Sequence, residues 1–108
     1  MASFTKQGYE EFFIAGSIKN VINDTETVDA ASSSVVAEDS DGTDVTSTVL
    51  DDATKVAADH PDGGTNNILK IRCQAGSESN SPYKITFYIV TDESNKWEVD
   101  VTMKIKEK

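Results

Sequence analysis

Apolar and polar residues alternate most regularly near the end of the chain, in SPYKITFYIVTDESNKWEVDVTMKIK, residues 81–106. One apolar stripe comprises Tyr83, Ile85, Phe87 and Ile89, and a second comprises Trp97, Val99, Val101, Met103 and Ile105. A period of two places alternate side chains on one face of a β-strand. The pattern predicts two long antiparallel strands that turn both stripes toward one core, with Trp97 at one end of that core.

Shorter β-prone runs precede this hairpin. They predict strands at 11–18, 32–39, 44–51 and 67–75, and a short strand near 54–57. Asp41-Gly42 predicts a hairpin turn at 40–43, and DHPDGG at 59–64 indicates a loop. No long window keeps helical spacing. Short strands in this number, without a βαβ unit, predict an all-β protein, an antiparallel β-sandwich of about seven strands.

The chain has 108 residues, which fits a single domain. We expect residues 10–108 to form one β-sandwich domain and residues 1–9 to form a flexible or docking N-terminal arm. Tyr83 lies near the start of the penultimate strand. In immunoglobulin-like sandwiches a tyrosine at that place folds back onto the preceding loop.

The formal net charge is −9, which disfavours binding to nucleic acid or to anionic membranes and favours a partner with a basic patch. No apolar stretch reaches the roughly 18 residues of a membrane span. The first residues, MASFTKQGYEEFF, lack the pattern of a secretory signal. These features predict a soluble protein made in a cytoplasm.

Two acidic segments are candidate metal sites. Asp39, Asp41 and Asp44 surround a glycine and could wrap Ca²⁺, although the simpler interpretation is a hairpin turn with solvated acids. Asp59, His60 and Asp62 could form a metal or acid–base site, although one histidine in a Pro/Gly loop is more typical of an ordinary surface loop. We expect no cofactor.

The single cysteine, Cys73, could act as a nucleophile with His60 as its base. It alternates with Leu69 and Ile71 on an apolar face, which favours a buried small hydrophobe. The serines have no GxSxG context, and there is no glycine-rich phosphate loop. The sequence therefore predicts a binding or structural module and no enzyme.

Aromatic residues outside the two stripes are the candidate interaction residues: Phe4, Tyr9, Phe12, Phe13 and Tyr88. The first four lie in or beside the expected N-terminal arm, where they could dock on a neighbour. Tyr88 points away from Phe87 and is expected on the outer face of its strand. A sugar platform is a second use for such aromatics, and ordinary surface β-propensity is a third.

Several segments in order resemble small structural proteins of tailed bacteriophages and prophages, the fibre–tail adaptor or head–tail module family. They are Phe4-Thr5-Lys6, the pair Glu10-Glu11, residues 24–28, VVAEDSDGTDVTSTVLD at 35–51, NILKIRCQAG at 67–76, and the final hairpin. Before Tyr83 the chain departs from the family's usual glycine-rich turn and reads GSESNSP.

The resemblance implies an immunoglobulin-like sandwich that serves as a non-enzymatic part of a virion. It would lie in the tail, the fibre adaptor or the head–tail region and be assembled in the host bacterial cytoplasm. Its partners would be other virion proteins or further copies of itself, joined in a ring or another oligomer. The alternative function is an immunoglobulin-like adhesion or carbohydrate-binding module.

Overall fold

The computed structural model describes residues 2–6, 10–18, 25–74, 76 and 78–106. These residues form seven strands, one short helix and one 3-10 turn at Glu78–Asn80. The elements are β1 (Ala2–Lys6), β2 (Phe12–Ser17), β3 (Ser34–Glu38), α1 (Thr46–Val49), β4 (Leu50–Ala58), β5 (Ile68–Cys73), β6 (Tyr83–Val90) and β7 (Lys96–Ile105). The prediction of an all-β chain is confirmed.

The strands of the described residues form two sheets, with orders β1-β7-β6-β3 and β2-β5-β4. In the immunoglobulin fold one sheet contains strands B, E and D, and the other contains C, F and G. Here β2, β5 and β4 occupy the B, E and D positions, and β3, β6 and β7 occupy C, F and G. The architecture is therefore an immunoglobulin-like sandwich, in which β1 adds a parallel strand beside β7.

The terminal hairpin supplies one wall of the core. β6 and β7 pair antiparallel without interruption from Tyr83↔Met103 to Val90↔Lys96. Ile85, Phe87, Ile89 and Met103 are fully buried, and Trp97 packs partly buried against the same cluster. Both predicted stripes are thus confirmed, and each of these large apolar side chains contributes about 1.5–3 kcal/mol by its burial.

The facing wall comes from β2 and β5. Leu69, Ile71 and Cys73 are completely buried, and the Cys73 sulfur lies 3.3 Å from the Met103 sulfur of the other sheet. Cys73 therefore lies at the contact between the sheets, as its alternation with Leu69 and Ile71 predicts. Gly16 in β2 gives Phe87 of β6 room to approach the backbone.

The prediction of one strand over 44–51 is wrong for most of that segment. The chain turns back at Asp39–Thr43, where the Gly42 N–H donates to Asp39 O and Gly42 adopts a positive φ of 82°. One isolated bridge, Glu38↔Asp44, follows, and the chain then enters α1. The turn at 40–43 is confirmed, but its second arm becomes a helical turn.

Most of β4 lies where the sequence predicts only a short strand near 54–57. This strand pairs with β5 at Asp51↔Arg72 and again at Val56↔Lys70, so a bulge lies between the two pairs. The Thr54 hydroxyl donates to Asp51 O at 2.6 Å and accepts from the Arg72 N–H at 2.9 Å. A side chain thus replaces ladder hydrogen bonds that the bulge interrupts.

Residues 2–6 belong to the segment 1–9 that the sequence predicts as a flexible or docking arm. They form β1, which pairs in parallel with β7 from Ala2↔Val101 to Lys6↔Ile105. Lys6 is buried, and its amine donates to Glu10 O at 2.8 Å, which joins β1 to the segment leading into β2. This strand is hard to predict from the sequence because ASFTK is largely polar and because its hydrogen bonds depend on a partner far along the chain.

Candidate functional site

The outer face of the three-stranded sheet carries an apolar and cationic surface. We call it the Phe13 face and define it by Phe13, Ala15, Val56, Lys70 and Arg72. The strand registers place them in two adjacent rows, because Phe13 lies opposite Arg72 and Lys70 lies between Ala15 and Val56. Phe13 is 42% exposed and Val56 is 44% exposed, while the cationic pair is half-buried.

The two cations of the Phe13 face lie over the Phe13 ring. Lys70 Nζ is 4.8 Å from the ring centroid, and Arg72 Cζ is 5.5 Å from it. Each contact of this kind contributes about 0.5–1 kcal/mol at an exposed site. At one end of the face, Glu11 Oε1 forms an ion pair with Arg72 Nε at a distance of 3.6 Å. The ring is thus held in position by two cations and is still 42% exposed.

Phe12, the neighbour of Phe13, points to the other side of β2. Its half-buried ring meets that of Phe4 edge to face, with centroids 5.7 Å apart and planes at 68°. Phe4 packs against the hydrophobic core. These two candidate residues therefore come together between β1 and β2, where they join the two sheets.

Tyr88 lies on the other outer face, 44% exposed, between Ser34 of β3 and Glu98 of β7. It is separated from the Phe13 face by the whole thickness of the sandwich. Tyr9 lies outside the described residues. The structure thus divides the aromatic candidates among an interior pair, Phe13 on one sheet and Tyr88 on the other.

The acidic turn uses its carboxylates to hold its own backbone. Asp39 Oδ1 accepts hydrogen bonds from the N–H groups of Asp41 and Thr43, both at 3.0 Å. Asp44 Oδ1 accepts from the Thr46 hydroxyl at 2.7 Å and from the Thr46 N–H at 3.0 Å. These two bonds, the hydroxyl's first, hold the pKa of the Asp44 carboxyl below its ordinary value of 3.8.

The loop around His60 is organised in the same way. His60 Nδ1 accepts from the Asp62 N–H at 2.9 Å, and Asp59 Oδ1 accepts from the Asn66 N–H at 2.9 Å. Asn67 ties the loop together, because its side chain accepts from the His60 N–H and donates to Gly63 O. Across the part of the chain that the structure describes, no group of three or more metal-ligating side chains converges.

A buried carboxylate lies at the turn that connects β6 and β7. Glu26 is 3% exposed, and its Oε2 accepts hydrogen bonds from the Thr91 hydroxyl and, at 2.8 Å, from the Asn95 side chain. The Thr91 oxygen also accepts from the Asn95 N–H at 3.2 Å. This cluster could not be predicted from the sequence, because Glu26 has no local signal and its partners lie far along the chain.

The four other residues of the Phe13 face also escaped the list of candidates. The alternation of NILKIRCQA places Lys70 and Arg72 on one side of β5, but only the pairing of β2 with β5 brings them to Phe13. The position of Val56 on this face could not be predicted, because the bulge of β4 shifts the register of the strand.

Comparison with known proteins gives the fold and no family. No protein-family model matches the chain, and no curated protein matches it. CopC from Methylosinus trichosporium OB3b has a similar structure, with a TM-score of 0.61 and 15% identity over 100% of this chain and 89% of CopC. At this identity the likeness shows a shared β-sandwich fold.

Two immunoglobulin-domain structures overlap less well. The complex of Dpr11 IG1 with DIP-gamma IG+IG2 gives a TM-score of 0.45 at 14% identity, covering 96% of this chain and 46% of the other. The ZIG-8 IG1 homodimer gives 0.38 at 11% identity, covering 97% and 78%. Among the described residues, no helix is long and apolar enough to span a bilayer.

Proposed function

We propose that this chain is a non-enzymatic binding domain that acts through protein–protein contacts. The observation that carries the proposal is the Phe13 face, where an exposed aromatic ring is fixed beneath Lys70 and Arg72 in a chain of net charge −9. Aromatic residues and arginine are enriched at the centres of protein interfaces. A ring that is already fixed loses little side-chain entropy when a partner covers it.

The chemistry of the candidate catalytic residues supports a binding role. Cys73 is completely buried beside Met103, and His60 Nδ1 is occupied by a backbone N–H within its own loop. The two groups lie on different elements, and neither the thiol nor that nitrogen is presented to a substrate. Asp39 and Asp44 likewise each use a carboxylate oxygen to accept hydrogen bonds from backbone or hydroxyl donors of their own turn.

The resemblance to phage and prophage structural proteins gives the proposal its finer form. In that form, the chain is a component of a tailed virion, placed in the tail, the fibre adaptor or the head–tail region, and its partners are other virion proteins. A two-sheet sandwich suits this role, because it supplies a rigid block whose faces and edges can be shared with neighbours.

Site-specific photo-crosslinking tests the binding role. A photoreactive phenylalanine replaces Phe13 in one variant and Tyr88 in another, since the two side chains are almost equally exposed on opposite sheets. We expect discrete crosslinked protein products from position 13 in the cells that express the chain. Products from position 88 alone would overturn the assignment to the Phe13 face, and products from neither would overturn the binding role there.

Particle composition tests the finer form separately. Phage or prophage particles purified from the source strain should contain the chain, and a Phe13→Ser variant should be incorporated at least ~10-fold less than wild type, as expected for loss of a central interface aromatic. Tyr88→Ser is the matched control and should be incorporated normally. If purified particles lack the wild-type chain while position 13 still crosslinks to a protein, the virion assignment fails and the binding role stands.

A further inference from the structure

The described residues leave four sheet edges, formed by β1, β2, β3 and β4. An edge strand exposes unpaired N–H and C=O groups, and folded proteins protect such edges with charges, bulges, prolines, short length or a covering segment. The four edges differ in how far they are protected, and the difference points to one of them as a binding edge.

The edge of β3 is covered at both ends. Ala37 O accepts from the Val45 N–H at 2.9 Å, and the Ala37 N–H donates to Thr46 Oγ1 at 3.0 Å. At the other end, Lys55 Nζ reaches across from β4 and donates to Ser33 O at 2.7 Å. An incoming strand would have to displace these groups.

Two further edges are protected by other means. β4 is interrupted by its bulge and carries Asp51, Asp52 and Lys55 there, with Lys55 Nζ 3.9 Å from Asp52. β1 has only five residues and a polar composition, ASFTK. Both features weaken strand addition, since a bulge bends the edge and a short strand offers few hydrogen bonds.

Within the residues that the structure describes, β2 has none of these protections. Its sequence, FFIAGS, contains no charge and no proline, and it pairs with β5 over six consecutive positions without a bulge. The exposed Phe13 adds an apolar side chain directly beside the open edge. An uncharged, regular and partly apolar edge is the kind that accepts another strand.

The hydrogen bond from the Ile18 N–H to Asn67 O fixes which backbone groups face the open edge. Ile18 continues the β2–β5 register, and hydrogen-bonded pairs recur at every second residue of an antiparallel ladder. Gly16, Ile14 and Phe12 therefore turn their N–H and C=O groups toward β5. Phe13 and Ala15 turn theirs toward the edge.

We infer that β2 binds an extended segment of a partner protein as an added strand, with carboxylate side chains of that segment facing Lys70 and Arg72. This inference rests on the proposed binding role of the Phe13 face and names its partner chemistry. The cations belong to β5, one strand inward, but their charged ends lie over the Phe13 ring on β2. An added strand lies only ~4.8 Å beyond β2, so its outward side chains come within their reach.

Charge favours an acidic segment of another protein over a second copy of this chain. Joining two copies through β2 would place two Lys70–Arg72 pairs on one continuous sheet face, between bodies of net charge −9 each. Glu11 already occupies one side of Arg72, which leaves Lys70 and the far side of Arg72 for new carboxylates. An acidic segment pairs its carboxylates with these cations, whereas a second copy brings two further cations to the same face.

Two synthetic peptides test the inference on the full chain. One alternates valine and glutamate over eight residues, and the other alternates valine and lysine. We expect the glutamate peptide to bind at least ~10-fold more tightly at low ionic strength, with a difference that shrinks as salt is added. Amide hydrogen exchange at Phe13 and Ala15 should slow in the complex. Equal binding of both peptides, binding of neither, or unchanged exchange at these amides would overturn the inference.

A pair of substitutions at Ala15 isolates the backbone contribution. Ala15→Pro removes an N–H that faces the open edge and lies outside the β2–β5 ladder, and edge strands tolerate proline at such positions. It should reduce binding of the glutamate peptide at least ~10-fold, while Ala15→Thr keeps the N–H and should bind as wild type. The exchange measurement on wild type decides the question independently if Ala15→Pro does not fold.

Failure of the inference and failure of the proposed function are distinguishable. If Ala15→Pro leaves crosslinking from position 13 to the cellular partner unchanged, the partner covers the Phe13 face without adding a strand. That result would overturn strand addition and support the binding role. Loss of crosslinking from position 13 in Ala15→Pro, with Ala15→Thr unaffected, is the result that the inference requires.

Discussion

Gly16 in β2 faces Phe87 in β6 so closely that a Cβ at position 16 would lie 2.7 Å from Cγ of the Phe87 ring. Phe87 is itself completely buried at the centre of the core. The obstacle is the base of a packed ring and not the end of a flexible chain. The separation of the two sheets at this point therefore depends on the absence of a side chain at Gly16.

Gly16→Ala should lower the free energy of unfolding by about 1–3 kcal/mol, the usual cost of inserting an extra methyl group into a packed core. Urea denaturation followed by tryptophan fluorescence measures the change, since Trp97 packs against the same core. Ala15→Ser is the matched control, because residue 15 is exposed on the same strand. Equal stability of Gly16→Ala and wild type would contradict the close packing.

Glu26→Ala should destabilise the protein by about 1–3 kcal/mol, because it leaves the buried Thr91 hydroxyl, and the Asn95 side chain beside it, without their acceptor. Glu93 lies in the same turn but is exposed, so Glu93→Ala should change the stability by less than about 0.5 kcal/mol. Thermal unfolding of the two variants makes the comparison. Similar losses in both would show that the buried cluster contributes nothing specific.

The hydrogen bonds from Thr46 should be visible in the titration of Asp44. In the folded protein the pKa of Asp44 lies below 3.8, so its ionised form is favoured by folding. This contribution is fully present above pH 3.8 and is lost as the pH falls through the folded-state pKa. Carboxyl NMR titration should show a low pKa in wild type and a return toward 3.8 in Thr46→Ala.

Thr46→Ser is the matched control for this titration. It keeps the hydroxyl that donates to Asp44 at 2.7 Å and should therefore keep the lowered pKa. A low pKa that persisted in Thr46→Ala would assign the shift to some other group.

Cys73 should resist thiol reagents in the native state. The side chain is completely buried between the sheets, so reaction requires opening of the sandwich. We expect labelling to be at least ~100-fold slower in buffer than in denaturing urea, given the usual stability of folded domains. An exposed thiol, placed by Asp41→Cys in a Cys73→Ala background, should react at one rate in both solvents. Rapid native labelling of Cys73 would contradict its burial.

Local patterning was sufficient to predict the terminal hairpin. Tyr83, Ile85 and Phe87 repeat with period two, and their partner stripe in β7 does the same, so both strands could be derived from neighbouring residues alone. The 67–75 run followed the same logic and gave β5. The immunoglobulin-like sandwich follows from these strands and the turns between them.

Elements that depend on distant partners could not be predicted in this way. DVTSTVL is rich in β-branched residues, yet Thr46 bonds Asp44 and the Ala37 N–H of β3, which favours a helical turn at that place. The bulge of β4 needs Arg72 from another strand to complete it. The sequence named Phe12 and Phe13 as candidates but could not tell which face of the strand each occupies. The pairing of the sheet shows that Phe12 points inward and Phe13 outward.

The pairing of β1 with β7 sets a condition on biosynthesis. Ala2 lies opposite Val101, so β1 is synthesised well before the strand with which it pairs. Proteins dominated by such long-range pairing fold slowly, because a long loop must close before the contact forms. Throughout translation of the residues between them, ASFTK has no strand to join, and a nascent-chain experiment should find the sandwich incomplete until β7 has left the exit tunnel.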